Sequence, residues 1–484
     1  MADSVAKNYV YTAGYQIVSL LVPLITTPYI SRVLGAENIG IYSYTASIAS
    51  YFSMFLLLGT SLYGTREIAY AQNDRKACSR IFFEIQLFKI ITSLLAILCY
   101  IIFLNTDVYD SECKYFLILQ GGILLASFLD ITWLFQGLEK FKLVVIRNFF
   151  IKVISVIAIF IFVKTENDLD TFIIVNVLGN IIGNAIIWYY LFDFIVRIPL
   201  CNIKIFYGIK TIFEMFIPVI AIQVYTVLDK IMLGNTGFMS SGGCYEQTVK
   251  IIGVCIAVLT SAGTVLMPRI SVEFSEGNMN EISRIIIKSY KVILCFACAI
   301  TFGIAAVSDN LVIWFLGSGF YEVGDLLKIY SIVLLMIPIS NIAGSGLLNP
   351  MKMHNKCTIA VIIGAIVNLP INLVLIPELY AMGATIGTVI AEIVVTLCFM
   401  YYVRNIINLS VVVKFLLKYS CVAMIMGIIV WYTGELLMLN NYNTMFITAI
   451  QIIEGLIIYC VLLAIIRDDV LKEYLEKILL YIKL

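Results

Sequence analysis

Residues 81–103 have the sequence IFFEIQLFKIITSLLAILCYIIF, in which only Glu84 and Lys89 are charged. A helix that crosses a bilayer needs about 20 mostly apolar residues, so this segment is long enough to span it. Similar segments recur along the whole chain of 484 residues, of which 61% are hydrophobic and 13% charged. A soluble domain usually has roughly 25% charged residues. The sequence therefore predicts an all-α polytopic membrane protein and excludes a soluble enzyme with one membrane anchor.

Fourteen segments are predicted to be transmembrane helices. They are 9–31, 40–62, 81–103, 115–135, 148–164, 171–195, 213–234, 245–267, 289–307, 326–348, 357–376, 383–402, 419–438 and 444–466. Lys and Arg accumulate in the cytoplasmic loops of membrane proteins. If the N-terminus is cytoplasmic, most of the 32 basic residues fall on the cytoplasmic side of these helices. We therefore expect both termini in the cytoplasm.

An internal repeat predicts the domain organisation. The pattern G-x-Y-x-x-T-x-x-I starts at Gly40 and again at Gly243, where the second and eighth predicted helices begin. Copies six helices apart face the same way, which predicts two pseudo-symmetric six-helix lobes related by an axis along the membrane normal. We expect lobes at 1–200 and 201–408, two further helices at 409–466 and a cytoplasmic amphipathic tail at 467–484.

Polar residues within the predicted helices form stripes at helical spacing. Asn176, Asn180 and Asn184 lie beside a G-x-x-x-G pair in the sixth helix, and the first helix has a stripe that includes Gln16, Ser19 and Pro23. Such stripes indicate either hydrogen bonding between helices or the lining of a water-filled cavity. The residues predicted to line a cavity are Gln16, Asn180, Gln223, Asn368 and Asn372.

Charged residues inside membrane helices are functional candidates, because each costs roughly 3 kcal/mol at mid-helix. Lys89, Lys230 and Lys250 are basic candidates, since a phosphorylated substrate needs cations to offset its desolvation. Asp130 and Glu392 are candidates for coupling a proton or a cation to transport. Lys152 lies near the inner end of the predicted span 148–164, so we expect its ammonium to reach the interface.

Several classes of site are not expected. The single histidine, His354, leaves little room for a histidine-based metal site, and the net charge of +1 gives no basic field for nucleic acid. The sequence predicts no cofactor and no metal. The chain also lacks a G-x-x-x-x-G-K-[ST] run, which disfavours an ATP-driven pump.

Five segments together resemble the Wzx-type polysaccharide-biosynthesis flippases of the multidrug/oligosaccharidyl-lipid/polysaccharide exporter superfamily. They are PYISRVLGAENIGIYSY (28–44), GTSLYGTREIA (59–69), DITWLFQGLEKFKLVVIRN (130–148), VLDKIMLG (227–234) and IVNLPINLVLIPELYAMGATIGTVIAE (366–392). The resemblance implies a bacterial inner-membrane protein that moves an undecaprenyl-diphosphate-linked oligosaccharide between leaflets for O-antigen, capsule or exopolysaccharide. It also implies that a polysaccharide polymerase or glycosyltransferases act alongside it.

The resemblance also marks charged positions that recur in these motifs. They are Arg32, Arg66, Asp130, Arg147 and Lys230. Arginine suits a diphosphate because its planar fork donates two parallel hydrogen bonds. The predicted substrate-binding set is therefore Arg32, Arg66, Lys89, Arg147, Lys230 and Lys250.

Two other functions stay open at this stage. A multidrug or metabolite exporter of the same superfamily would have the same fold and a different cavity. A membrane-bound glycan polymerase would be an enzyme, and it would need a long outer loop or a histidine-rich site, which the sequence does not contain. Transport without bond chemistry, by alternating access, is the expected activity.

Overall fold

The computed structural model describes residues 2–106, 110–199, 203–206, 208–440, 442–473 and 476, with the side chains of all of these except 2–18, 20, 225 and 262–265. Within these residues the chain forms helices and turns and contains no β-strand, so the predicted all-α class is confirmed. The helices are α1 (Ala2–Leu57), α2 (Thr60–Ala71), α3 (Arg75–Leu104), α4 (Ser111–Gln120), α5 (Gly122–Leu129), α6 (Thr132–Gly137), α7 (Phe141–Phe162), α8 (Leu169–Ile186), α9 (Ile209–Asn235), α10 (Met239–Ser275), α11 (Met279–Phe315), α12 (Glu322–Tyr330), α13 (Val333–Asn341), α14 (His354–Val403), α15 (Leu409–Leu439) and α16 (Thr444–Ile465).

The described helices confirm a multi-pass membrane architecture. Eleven helical segments are long and apolar enough to cross a membrane, or twelve if the two bent parts of α9 count as one span. Helices α1 and α14 each contain two of the predicted spans, and each is broken at one residue with a positive φ, Gly35 (78°) and Tyr380 (49°). The count of fourteen spans itself stays a prediction.

The chain divides into two compact units, Met1–Gly243 and Cys244–Leu484. In the first, the amino-terminal unit, α1 packs against α3, α4, α5, α7 and α9. Trp133 and Phe82 stack in the core of this unit, with ring centroids 5.9 Å apart. The predicted lobes 1–200 and 201–408 divide the chain differently and stay a prediction.

The two glycines that open the repeated pattern pack against each other in the amino-terminal unit. A Cβ atom on Gly40 would overlap the carbonyl oxygen of Met239, and one on Gly243 would overlap that of Ala36. The two contacts are equivalent, because Ala36 lies four residues before Gly40 and Met239 lies four residues before Gly243. A side chain at either glycine would force the helices apart, so this crossing of α1 and the start of α10 requires glycine on both sides.

In the carboxy-terminal unit, α11 packs against α12, α13, α15 and α16. The chain that leaves α16 is joined to α11 and α15 by three ion pairs. They are Lys418 with Asp468, Lys291 with Asp469 and Lys288 with Glu473. We call these six residues the tail cluster. Of the predicted tail 467–484, residues 474, 475 and 477–484 lie outside the described residues.

Candidate functional site

A polar cavity of about 680 Å³ lies within the amino-terminal unit. Helices α7 and α8 supply most of its lining, and α2 and the α5–α6 segment supply the rest. We call it the amino-terminal cavity. Its lining residues are Ser61, Asp130, Thr132, Trp133, Gln136, Arg147, Asn148, Ile151, Lys152, Ser155, Asn176, Gly179, Asn180, Gly183 and Asn184. Three of them, Asp130, Arg147 and Asn180, are site residues that the sequence predicted.

The G-x-x-x-G pair of α8 faces α7 across this cavity. A Cβ atom on Gly179 would lie 2.6 Å from the Ser155 hydroxyl oxygen, and one on Gly183 would lie 3.4 Å from the Ile151 side chain. Glycine at both positions therefore lets the two helices approach closely. Asn176, Asn180 and Asn184 recur every four residues, so they share one face of α8 and all line the cavity.

The asparagines hydrogen-bond in a way that leaves polar atoms available to a ligand. Asn176 donates from Nδ2 to the Phe172 carbonyl at 2.7 Å, and Asn180 donates to the Asn176 carbonyl at 3.0 Å. Each bond uses one of the two N–H groups of an amide. The other N–H and the acceptor oxygen remain for a group that both donates and accepts, as a hydroxyl does.

Four hydrogen bonds from the Arg147 guanidinium go to neutral side-chain oxygens. Asn148 Oδ1 accepts from its Nε at 3.0 Å and from one terminal nitrogen at 2.6 Å. The Asn184 amide oxygen and the Thr132 hydroxyl accept from the terminal nitrogens at 3.3 Å. These contacts fix the plane of the guanidinium at the cavity lining, and a planar fork of N–H donors suits a phosphate ligand.

Side chains satisfy the carbonyl groups exposed by the break between α5 and α6. Asn184 Nδ2 donates to the Ala126 carbonyl at 2.8 Å, and Trp188 Nε1 donates to the Leu129 carbonyl at 2.7 Å. The fully buried Lys89 donates to the Asp130 carbonyl at 2.7 Å. Broken helices are tolerated in membranes where such partners exist. The structure thus places Lys89 behind the cavity wall, at the helix break.

Lys152 occupies a more central position than the sequence predicted. Its helix begins at Phe141 and ends at Phe162, so Lys152 lies at the middle of α7 and the expected position near a helix end is wrong. Its ammonium lines the cavity and donates to the Ser19 carbonyl at 3.3 Å. Hydropathy placed the start of this helix too late, because Lys142, Arg147 and Asn148 in its first turns lower the average.

The other predicted residues of the amino-terminal unit whose side chains are described lie outside the lining of this cavity. Arg66 on α2 pairs with Glu67 at 2.8 Å, and Arg32 is exposed just before the break at Gly35. Lys230 is half-buried on α9, beside the fully buried Asp229. Gln223, also on α9, accepts at its backbone carbonyl from the Tyr51 hydroxyl at 3.1 Å. The side chain of Gln16 lies outside the described residues.

Four predicted residues belong to the carboxy-terminal unit. Lys250 pairs with Glu246 at 3.2 Å on α10. On α14, the buried Asn372 donates from Nδ2 to Asn368 Oδ1 at 3.0 Å, and Glu392 is buried at 5% exposure. Among the residues for which side chains are described, no group of three or more His, Cys, Asp or Glu could hold a metal ion.

Sequence reasoning did not identify Asn148 and Thr132 as partners of Arg147. The three residues are brought together by the turn between α6 and α7, and no periodic spacing links them. One signal in the sequence could have indicated this contact: Asn148 is an amide directly next to Arg147 in a segment otherwise rich in apolar residues.

Comparisons with known proteins identify the family of this chain and proteins that share its fold. Residues 5–274 match the family model described as polysaccharide biosynthesis protein. An Escherichia coli K12 protein provisionally named O-antigen transporter is 26% identical over 412 residues, covering 83% of this chain and 97% of the relative. A Shigella dysenteriae protein with the same name is 27% identical over 387 residues, covering 78% and 94%.

Solved transporter structures share the fold. The lipid II flippase MurJ, in an inward closed conformation, superposes with a TM-score of 0.74 at 15% identity, covering 96% of this chain and 99% of MurJ. An inward-facing multidrug transporter of the MATE family superposes with a TM-score of 0.55 at 14% identity, covering 82% of this chain and 99% of the transporter. At such identities the match shows a shared architecture and nothing further.

Proposed function

This chain belongs to the polysaccharide biosynthesis protein family, and on that premise we propose that it is a flippase for a lipid-linked oligosaccharide. Its cargo is an undecaprenyl-diphosphate-linked repeat unit for O-antigen, capsule or exopolysaccharide. The names of the two bacterial relatives and the MurJ-like architecture support this class of cargo. The activity we propose is translocation by alternating access, without covalent chemistry.

The amino-terminal cavity is the observation that carries the proposal. A diphosphate that leaves water loses strong hydration, so it needs cationic donors inside the protein. Arg147 supplies such a donor in a fixed orientation. The amides of Asn176 and Asn180 can bind sugar hydroxyls, which both donate and accept hydrogen bonds. The prenyl tail can remain in the lipid while the headgroup occupies this polar space.

The remaining predicted residues are proposed to act on the same cargo. Arg66 is proposed to contact the phosphorylated headgroup as it enters, and Arg32 and Lys230 are proposed to contact it as it leaves. Lys89 and Lys250 are proposed to contribute positive electrostatic potential. Asp130 and Glu392 are proposed to couple a proton or a cation to transport. The proposed cavity-lining residues outside α8 are Gln16, Gln223, Asn368 and Asn372.

The cellular setting follows from the cargo. We propose the bacterial cytoplasmic membrane with both termini in the cytoplasm, consistent with the distribution of Lys and Arg. A polysaccharide polymerase or glycosyltransferases are the proposed partners in the same assembly route.

The alternative function is a multidrug or metabolite exporter, which the MATE-like fold supports. Transport assays with purified protein in proteoliposomes separate the two classes. We expect undecaprenyl-diphosphate oligosaccharide to become accessible to an added glycosidase, while a cationic dye is not moved. Dye export without glycan translocation would support the exporter and refute the flippase.

A matched experiment in cells tests the same proposal. A strain that lacks its own flippase should regain surface glycan when it expresses this chain together with the genes for the cognate repeat unit. Empty vector is the control for residual translocation. Absence of surface glycan, with the lipid-linked repeat unit accumulating inside and the protein present in the membrane, would refute the assignment.

A further inference from the structure

Pro23 creates an unusual hydrogen-bond acceptor in α1. Proline has no backbone N–H, so the carbonyl four residues earlier, that of Ser19, loses its partner within the helix. The Lys152 ammonium donates to this same carbonyl at 3.3 Å. The Ser19 hydroxyl oxygen is also buried and has no hydrogen-bond partner within the described part of the chain. The carbonyl that Pro23 leaves without a helical donor is therefore the same carbonyl that the cavity lysine contacts.

This contact satisfies Lys152 only in part. A lysine at the middle of a membrane helix is costly unless an anion or several hydrogen-bond acceptors compensate its ammonium group. A distance of 3.3 Å to a neutral oxygen lies beyond the usual range for N–H···O bonds. Within the described residues, no carboxylate forms an ion pair with Lys152. An anion entering the cavity would therefore be a stronger partner than the Ser19 carbonyl.

The cavity places Lys152 where a phosphorylated headgroup would lie. Lys152 and Arg147 line the same cavity from the same helix, five residues and about 7.5 Å of helical rise apart. Asn148 lies one turn from Lys152 on the same face of α7. A diphosphate held by Arg147 can thus reach the Lys152 ammonium while it remains in the cavity.

We propose that Lys152 binds the phosphate of the cargo and that, in doing so, it releases the Ser19 carbonyl of α1. This inference rests on the proposed function. Bound phosphate replaces the carbonyl as the partner of the ammonium, so α1 loses its attachment to α7 at the point where Pro23 has already removed a helical hydrogen bond. Helices bend most readily at such prolines. Loading of the cavity and bending of α1 are therefore coupled through one lysine.

The first test measures binding by the full chain in lipid nanodiscs, with undecaprenyl diphosphate as the probe and inorganic pyrophosphate as a competitor. Lys152→Met should weaken binding about tenfold, the scale of one charge-assisted contact, and Lys152→Arg should retain most of it. Equal binding by wild type and Lys152→Met would overturn the inference. No binding by wild type would instead refute the proposed function. Competition by pyrophosphate would show that the phosphates, and not the prenyl chain, are recognised.

The second test addresses the proline. Pro23→Ala gives the Ser19 carbonyl a backbone donor again, so Lys152 no longer contributes to holding α1 and the probe should bind more tightly. Pro28→Ala is the matched control, because it restores a hydrogen bond in the same helix to the Leu24 carbonyl instead. Hydrogen–deuterium exchange in α1 should rise when the probe binds to wild type and stay unchanged in Lys152→Met. Equal effects of the two proline variants, or no probe-dependent exchange in wild type that binds the probe, would overturn the link to α1.

Discussion

The cations of the tail cluster donate to carboxylates, whereas the hydrogen bonds described for Arg147 and Lys152 in the amino-terminal cavity go to neutral oxygens. Lys418 pairs with the fully buried carboxylate of Asp468, and Tyr419 donates to the same group. Arg147 instead donates to amide and hydroxyl oxygens, and Lys152 donates to a backbone carbonyl. The first arrangement neutralises charge, and the second orients a cation at the lining of a cavity.

This difference separates cations that hold the fold from cations that can hold a cargo. A carboxylate partner cancels the field of a lysine and competes with any incoming phosphate. Amide and carbonyl oxygens orient a cation without cancelling its charge, so its field still attracts an anion. Sequence position does not distinguish the two kinds, because both lie in or next to membrane helices. Changing the partner of each cation should therefore have opposite consequences in the two regions.

The largest effect is expected from removal of the oriented cavity cation. Arg147→Ala should lower translocation of the lipid-linked oligosaccharide by about 10- to 100-fold, because hydrogen bonds to charged groups contribute roughly 1.5–3 kcal/mol. Measurement of glycan reaching the outer leaflet of proteoliposomes, normalised to folded protein, checks this value. Lys418→Ala should lower thermal stability and leave translocation per folded molecule unchanged.

The geometry of Arg147 adds a second control. Arg147→Lys keeps the charge but loses the planar fork, so its rate of translocation should lie between those of wild type and Arg147→Ala. If Arg147→Ala transported normally, or if Lys418→Ala lost translocation as severely at equal folding, the distinction between the two regions would fail.

A smaller effect is expected when Asn148, a neutral partner of Arg147, is replaced by a carboxylate. In Asn148→Asp, the oxygen that accepts from Nε and a terminal nitrogen of Arg147 becomes part of a carboxylate. The resulting two-point ion pair should lower translocation about tenfold, since it competes with phosphate for the same donors. Thermal stability should be equal to or above that of wild type.

The matched variant Asn148→Ala removes the oxygen without adding charge. It should transport better than Asn148→Asp although it has lost a hydrogen-bond partner. The reverse order would mean that an added carboxylate beside Arg147 harms transport less than the loss of the orienting amide, and the comparison between the regions would have to be abandoned.

Local signals made most of the fold predictable. Each membrane helix has its own apolar run, so 81–103 and its counterparts could be recognised one by one, and α3 spans the predicted segment with a few residues to spare. The glycines of the repeat were also visible, and they meet in the structure at a helix crossing. Helix starts were less predictable, because residues such as Lys142 and Arg147 lie within α7 but lower its hydropathy.

The candidate site was predictable only where one helix supplied it. The asparagines of α8 could be placed on a common face from their spacing, and they do line one cavity. The roles of Lys89 and Lys152 could not be inferred, since both depend on carbonyls that lack a helical donor elsewhere in the chain. For Lys89 the cause is the break between α5 and α6, and for Lys152 it is Pro23 in α1. The ion pair of Lys418 with Asp468 joins residues 50 positions apart, a separation that no local pattern records.

The tail cluster gives the smallest predicted effect, and that effect depends on pH. Burial opposes ionisation of Asp468, but hydrogen bonds from Lys418 and the Val470 backbone N–H outweigh it and hold the pKa of this carboxyl below its ordinary value. A carboxyl with a depressed pKa stabilises the fold fully above its unfolded-state pKa of about 3.9, and this contribution is lost as the pH falls through the lower folded-state value.

Asp468→Asn removes this charge-assisted contact while it preserves the shape of the side chain. At pH 7 it should lower the free energy of unfolding by about 1.5 kcal/mol, measured as a decrease in the unfolding temperature of detergent-solubilised protein. The difference from wild type should begin to shrink as the pH falls below about 3.9, where the unfolded-state carboxyl takes up a proton. It should be lost once the carboxyl of the folded protein is protonated as well. Asp469→Asn is the matched control and should have a smaller effect, since that carboxylate is 80% exposed and its pair with Lys291 is screened by solvent. A difference between Asp468→Asn and wild type that stayed constant down to the lowest accessible pH would show that the ion pair does not hold the tail, and with it the assignment of this cluster to structure would fall.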